Sequence, residues 1–259
     1  MLKLTIKKIL NKKNKIPIIC LTAYSKAMAQ IADKYCDIIL VGDSLGMVLY
    51  GMQTTKKVKI ETMILHCKTV KNFTKKSLVV FDMPYKTYDN KFIAYKNASR
   101  VMRLTKCDAI KMEGGKKIVN IIKYLVKKGI PVMGHVGLLP QTSTNFKVKG
   151  KNFIQKKKIL GDAIAISNSG VFAIVLECIV EDLAKKITKN VSVPTIGIGA
   201  SKYCDGQILV TDDMLGLSDY VPKFVKQYSN LKKVIEKSIK NYARDVKQRK
   251  FPSNNNVYR

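Results

Sequence analysis

Short apolar runs separated by amphipathic stretches recur along almost the whole chain, and no other feature restricts its fold as tightly. Ile38-Ile-Leu-Val41 is the clearest of them, four aliphatic residues with no polar break, the pattern of a strand buried on both faces of a parallel sheet. Comparable runs at 18–23, 78–82, 109–113, 131–134, 171–176, 193–198 and 207–210 make eight candidate strands. Between them, apolar residues at helical spacing occupy 25–35, 60–70, 90–105, 116–128, 156–169 and 179–190. A closing helical pattern runs over 221–249, with a basic C-terminal helix assigned to 228–250 and a flexible polar tail to 251–259. Strands alternating with helices, without a Pro- or Ser-rich linker, predict an α/β fold, an eight-stranded parallel (β/α)8 TIM barrel. The length of 259 residues agrees with a single domain over 1–259, since such barrels typically take roughly 250 residues.

The formal net charge of +30 would ordinarily point to nucleic acid, an anionic membrane or acidic ligands. The distribution argues otherwise. Arginine occurs only at Arg100, Arg103, Arg244, Arg249 and Arg259, whereas nucleic-acid readers lean on its planar fork, and the lysines are spread over nearly every helical segment as solvated faces. Cys20, Cys36, Cys67, Cys107, Cys178 and Cys204 form no C-x-x-C pair and sit mostly in apolar company, which fits reduced, buried thiols in a cytoplasmic protein. No apolar run approaches the ~20 residues that cross a bilayer. The basic N-terminus has no continuous apolar core, so neither a membrane association nor a signal peptide is expected.

A barrel gives the acidic residues a common address. Asp43, Asp82, Glu113 and Glu177 terminate four different strands, and in a barrel those ends converge on one face. Each alone reads equally well as a turn former or cap. Four together repel one another unless a cation or a substrate proton offsets them. Carboxylate oxygens suit a hard divalent cation, and Mg²⁺ typically uses only one or two of them plus substrate and water. Lys111, two residues before Glu113 on the same strand face, either neutralises an anionic substrate or pairs structurally with Glu113. His135, at a strand end, reads as a core or a site residue, and His66, inside a helix, as structural. The glycine-rich stretch 197–206 is a candidate substrate-face loop, although it completes neither a Walker nor a dinucleotide fingerprint.

Val41-Gly-Asp-Ser-Leu-Gly-Met47, Lys111-Met-Glu-Gly-Gly115, Gly134-His-Val-Gly137 with Pro140-Gln141, Leu176-Glu-Cys178, and Ile196-Gly-Ile-Gly-Ala200 with Asp205-Gly-Gln207 resemble the ketopantoate hydroxymethyltransferase family, in its order and spacing from about residue 18 to 226. The resemblance implies a barrel of the phosphoenolpyruvate mutase-like superfamily and a cytoplasmic homodecamer. It implies transfer of a one-carbon unit from 5,10-methylenetetrahydrofolate to 3-methyl-2-oxobutanoate. Under it, Asp43, Asp82 and Glu113 match the Mg²⁺ site; Asp43, Ser44, Asp82 and Lys111 match the oxo-acid site; and Glu177 matches the proton acceptor. Ser25 stands where the family often has Asp, Leu139 where it has Thr, and Lys57 where it has Pro, while the loop 142–149 is shorter. Two other readings carry different tests: a Mg²⁺-dependent lyase or mutase on another 2-oxo acid, which needs no folate, and a basic nucleic-acid-binding protein, whose binding weakens steeply with salt.

Overall fold

The computed structural model describes residues 3–143 and 145–258. Eight parallel strands close into a barrel in sequence order: β1 (Ile18–Thr22), β2 (Ile38–Val41), β3 (Leu78–Asp82), β4 (Ala109–Glu113), β5 (Val132–Gly137), β6 (Ala173–Glu177), β7 (Thr195–Ile198) and β8 (Gly206–Leu209). The helices are α1 (Ile6–Leu10), α2 (Lys26–Tyr35), α3 (Leu45–Val48), α4 (Ile60–Asn72), α5 (Lys91–Thr105), α6 (Val119–Lys127), α7 (Phe153–Ser167), α8 (Glu181–Asn190), α9 (Thr211–Leu215) and α10 (Leu231–Lys247).

The unbroken apolar runs follow from burial on two sides. Ile38 and Leu40 of β2, with Leu78 and Val80 of β3, join a cluster filling the barrel interior. Their neighbours Ile39, Val41, Val79 and Phe81 pack outward beneath the helices, against residues such as Met63, Cys67 and Ala94. A fully buried side chain of this kind contributes about 1.5–3 kcal/mol. Ile9 of α1, fully buried, belongs to the inner cluster, and Leu4 N donates to Lys76 O at 2.8 Å just ahead of β3. The N-terminal segment therefore stoppers the barrel at the amino ends of its strands.

Several boundaries differ from the sequence reading for identifiable reasons. α7 begins at Phe153, because Asn152 caps it by accepting from Gln155 N at 2.9 Å; its first turn shows no apolar period, since Phe153 and Ile154 are both exposed. β5 continues through His135 to Gly137. Ser25, the departure from the family's Asp, caps α2 through Met28 N. The glycine-rich stretch does not line the mouth as a whole: after β7 it descends through 199–205, and Asp205 is anchored beside Thr195 at the opposite end. By its internal contacts the described chain divides into two compact units, one ending at Val210 and the other beginning at Thr211. The second unit holds α9 and α10. α10 is shorter than the predicted helix, starting after Asn230, whose side chain accepts from Lys233 N, and it buries none of its residues. A short 3-10 turn at Asn254–Asn256 occupies the predicted tail. Among the described residues no helix is long and apolar enough to cross a membrane, and all six cysteines are free and buried.

Candidate active site

Inward-facing positions change character as each strand rises. Ala109 gives way to Lys111 and Glu113 on β4, Leu78 and Val80 to Asp82 on β3, Met133 to His135 on β5, and Ala173 and Val175 to Glu177 on β6. The lower barrel is thus an apolar core and the upper barrel a polar pocket. Strand register places Asp82 beside Lys111 and Glu113 beside His135.

The pocket is held by a continuous series of contacts. Lys111 Nζ lies 2.8 Å from both carboxylate oxygens of Asp82. Asp43, just beyond β2, directs its backbone N–H at Asp82 Oδ2, 3.4 Å away, and its own Oδ2 accepts from Gln141 Nε2 at 2.9 Å. Gln141 N donates to Glu113 Oε1 at 2.8 Å. Glu113 Oε2 is 3.6 Å from His135 Nδ1, and His135 Nε2 is 3.2 Å from Glu177 Oε2. Neither ring nitrogen is aligned for a well-formed hydrogen bond, so the imidazole rests between two carboxylates by proximity. Ser44 Oγ, at the entrance to α3, is 2.7 Å from the Tyr24 hydroxyl.

Burial orders the roles. The side chains of Asp82, Lys111, Glu113 and His135 are at most 7% exposed, whereas Glu177 is 18% exposed and is the acidic group with the greatest access to a ligand in the mouth. Glu177 is fixed from behind: its carbonyl accepts from Leu138 N at 2.8 Å, and a Cβ at Gly137 (φ +104°) would fall 2.3 Å from that same oxygen, so only glycine fits there. The next residue, Cys178, adopts the left-handed region at φ 48°, with its N–H and C=O bonded to Ile198 and Lys149. Such strain persists where surrounding bonds over-determine the backbone.

Burial pushes the Asp82 carboxyl up to about 7, against the pull of Lys111, and the Glu113 carboxyl to about 9, again against Lys111. Burial pulls Lys111 down, but Asp82, Asp43 and Glu113 outweigh it and hold the ammonium protonated. Burial and the Lys111 charge lower His135 despite Glu177, which keeps the imidazole neutral. Asp43, Asp82 and Glu113 therefore share one ammonium in a low-dielectric pocket, with Glu177 beside them against His135; protons offset the excess acid there, and a further cation would do the same. The donor set fits a hard ion, but only in part. Among the described residues no three His, Cys, Asp or Glu side chains are arranged to hold a metal by themselves. Glu113 spends Oε1 on Gln141 and turns Oε2 to His135. Asp82 likewise gives both oxygens to Lys111 and Asp43 one to Gln141; Mg²⁺ typically takes only one or two carboxylates when substrate and water complete its shell.

Lys111 pairs with Asp82 rather than with Glu113, the partner considered from sequence. His135 belongs to the site. His66 does not: it donates to Tyr24 O at 2.7 Å through Nδ1, and its Nε2 lies 2.8 Å from the Tyr50 hydroxyl. Tyr24, Tyr88 and Gln141 are site-forming residues that the sequence reading assigned no role; Gln141 falls inside a quoted motif, whereas Tyr88 gave no signal.

The sequence model of the family described as ketopantoate hydroxymethyltransferase matches residues 3–254. A 3-methyl-2-oxobutanoate hydroxymethyltransferase from Pelagibacter ubique is 56% identical over 255 residues, 97% of this chain and 99% of that protein. One from Bartonella tribocorum is 50% identical over 261 residues, 99% of this chain and 96% of the relative. Among solved structures, 2,3-dimethylmalate lyase, a member of the PEP mutase/isocitrate lyase superfamily, superposes with a TM-score of 0.63 at 12% identity, covering 95% of this chain and 85% of that one. Phosphonopyruvate hydrolase in complex with oxalate and Mg²⁺ gives 0.62 at 11% identity, covering 98% and 93%. At such identities these two likenesses carry the fold and nothing finer.

Proposed function

The chain belongs to the ketopantoate hydroxymethyltransferase family, and on that premise we propose that it transfers a hydroxymethyl group from 5,10-methylenetetrahydrofolate to 3-methyl-2-oxobutanoate. The product would be 2-dehydropantoate, for pantothenate and coenzyme A synthesis, with Mg²⁺ as cofactor. The observation that carries this reading is the convergence of four strand-end carboxyl groups on one polar pocket around Lys111 and His135, with only Glu177 appreciably open to the mouth.

Asp43 and Asp82 would hold the cation, with Glu113 beside them, and when bound the ion supplies Lewis acidity to the ketone of the oxo acid. Ser44 and the backbone at Asp43 orient the substrate. Lys111, fixed on Asp82, offsets the charge of its carboxylate. Glu177 removes the C3 proton as general base, with His135 against its Oε2 limiting where that oxygen can point. One water releases the methylene carbon from the two folate nitrogens at the oxidation level of formaldehyde; the carbanion forms its C–C bond to that carbon, whose oxygen takes a proton to become the product hydroxyl, and tetrahydrofolate leaves. The 56% identity to a hydroxymethyltransferase, against 12% to a lyase on the same scaffold, supports this reaction over the lyase and mutase readings. A cytoplasmic homodecamer is the assembly that goes with it.

The test is deuterium exchange at C3 of 3-methyl-2-oxobutanoate, followed by NMR with and without Mg²⁺ before folate is added. Exchange that requires Mg²⁺, then product once methylenetetrahydrofolate is supplied, is the expected result. No exchange under either condition and no turnover with folate would overturn the proposal.

A further inference from the structure

Gln141 is an uncharged side chain that ties the acidic cluster together. It is fully buried. Its Nε2 donates to Asp43 Oδ2 and to Met83 O, each at 2.9 Å. Its Oε1 accepts from the Tyr88 hydroxyl at 2.6 Å, and its backbone N–H donates to Glu113 Oε1 at 2.8 Å. A residue carried by the loop after β5 thus reaches the ends of β2, β3 and β4.

The orientation of the amide is forced. Met83 O and a carboxylate oxygen can only accept, so the NH₂ must face both of them; the reverse setting would turn the amide oxygen against two acceptors. Tyr88 then donates to the remaining oxygen, and both amide donors are committed. The amide engages Oδ2 of Asp43 and makes no bond to Oδ1. Gln141 does this without adding charge, so the cluster keeps its excess of carboxylate.

We propose that Gln141, set by Tyr88, is a positioning residue for the metal and oxo-acid site: it fixes the Asp43 carboxylate in its ligating orientation and holds Glu113 apart from it. The inference rests on the functional reading above, with Asp43 as a cation ligand. Groups that orient a ligand from behind typically cost 10–100-fold in metal affinity when removed.

The experiment is calorimetric titration of Mg²⁺ into the full-length protein saturated with 3-methyl-2-oxobutanoate, alongside thermal melting of the metal-free protein. For Gln141→Leu we expect Mg²⁺ binding to weaken at least about tenfold, and the metal-free melting temperature to fall as Asp43, Met83 O and Tyr88 lose a buried partner. Tyr88→Phe keeps both amide donors but leaves the buried amide oxygen without its anchoring donor, and should weaken Mg²⁺ by more than about twofold but less than Gln141→Leu does, a smaller loss of the same kind. Folded variants that bind Mg²⁺ within about twofold of the wild type, whatever their melting temperatures, would overturn the role. If Gln141→Leu does not fold, Tyr88→Phe alone decides. A wild-type protein that binds no Mg²⁺ with the oxo acid would instead overturn the functional reading beneath the proposal.

Discussion

The two ends of the barrel use the same residue type for opposite purposes. At the amino ends, Asp37, Asp108 and Asp205 each stand one residue before a strand and each staple it to its predecessor. Asp37 accepts from Ile19 N at 3.0 Å, Asp108 from Val79 N at 2.9 Å and Asp205 from Thr195 N at 2.8 Å. Every one also holds lysine: Lys12 for Asp37, Lys3 and Lys71 for Asp108, Lys13 for Asp205. At the carboxyl ends, Asp43, Asp82 and Glu113 share Lys111, and Glu177 lies against His135. Ahead of a strand, an aspartate meets exposed N–H groups of its neighbour and its charge is satisfied. Past the strand it meets other carboxyl groups, and one lysine does not offset them all. Placement relative to the strand, rather than residue type, separates an acid paired with lysine from one crowded among other acids.

The sharpest break in the comparison comes from Glu177→Gln. It removes the base and keeps the shape, so C3 exchange should fall by about 10²–10⁴-fold, with Mg²⁺ and oxo-acid binding and the melting temperature close to wild type. Normal exchange in that variant would refute the assignment. Asp205→Asn should do the reverse. It leaves the buried Lys13 ammonium, only 12% exposed, without its counter-charge and opposes an NH₂ to the N–H of Thr195 or Asn14. A loss of about 3 kcal/mol in denaturant unfolding is expected, with turnover per folded molecule unchanged. Impaired turnover at full stability would erase the division between the two ends.

The upper end was legible in the sequence and the lower end largely was not, although both carry acids at strand boundaries. Asp43, Asp82, Glu113 and Glu177 close apolar runs, so periodicity alone places them on one face. The lower aspartates open strands, and three of them follow cysteine, as Cys36-Asp37, Cys107-Asp108 and Cys204-Asp205. That repeated dipeptide was available, but the cysteines read simply as buried thiols. No pattern could select Lys12, Lys13, Lys3 and Lys71 from 48 basic residues. Gln141 was hidden for a related reason. Its partners lie 98, 58 and 28 residues away, and a single polar residue in a loop carries no period that points to them. The (β/α)8 order came through because each strand and helix is a local apolar pattern, whereas α10 was drawn too long because basic residues on either side share its composition without its cap.

The finest discrimination between the two ends lies in how stability depends on pH. Burial raises Asp108 and Asp205, but Lys3, Lys71 and the Val79 N–H for the first, and Lys13 with the Thr195 and Asn14 N–H groups for the second, outweigh it and hold both below the ordinary value of ~3.9. A depressed carboxyl contributes stability that is present above the unfolded value and lost as pH falls through the folded one. Glu113 has the opposite sign. Burial holds it at about 9 in spite of Lys111, so between that value and the unfolded ~4.3 the folded state binds a proton that the unfolded chain does not. Its contribution in the metal-free protein therefore grows as pH falls through that window. Each group can tilt the curve by at most about 1.4 kcal/mol per pH unit. Urea unfolding from pH 9 to pH 2 should accordingly show one limb rising towards acid and a second collapsing below about pH 4. Glu113→Gln should reduce the first limb alone, most of all between pH 9 and 7, because the Asp82 carboxyl at about 7 sustains the rest of it. Asp108→Asn should flatten the second alone, and if both variants alter the same limb, the carboxylates of the two ends do not differ in the way the geometry requires.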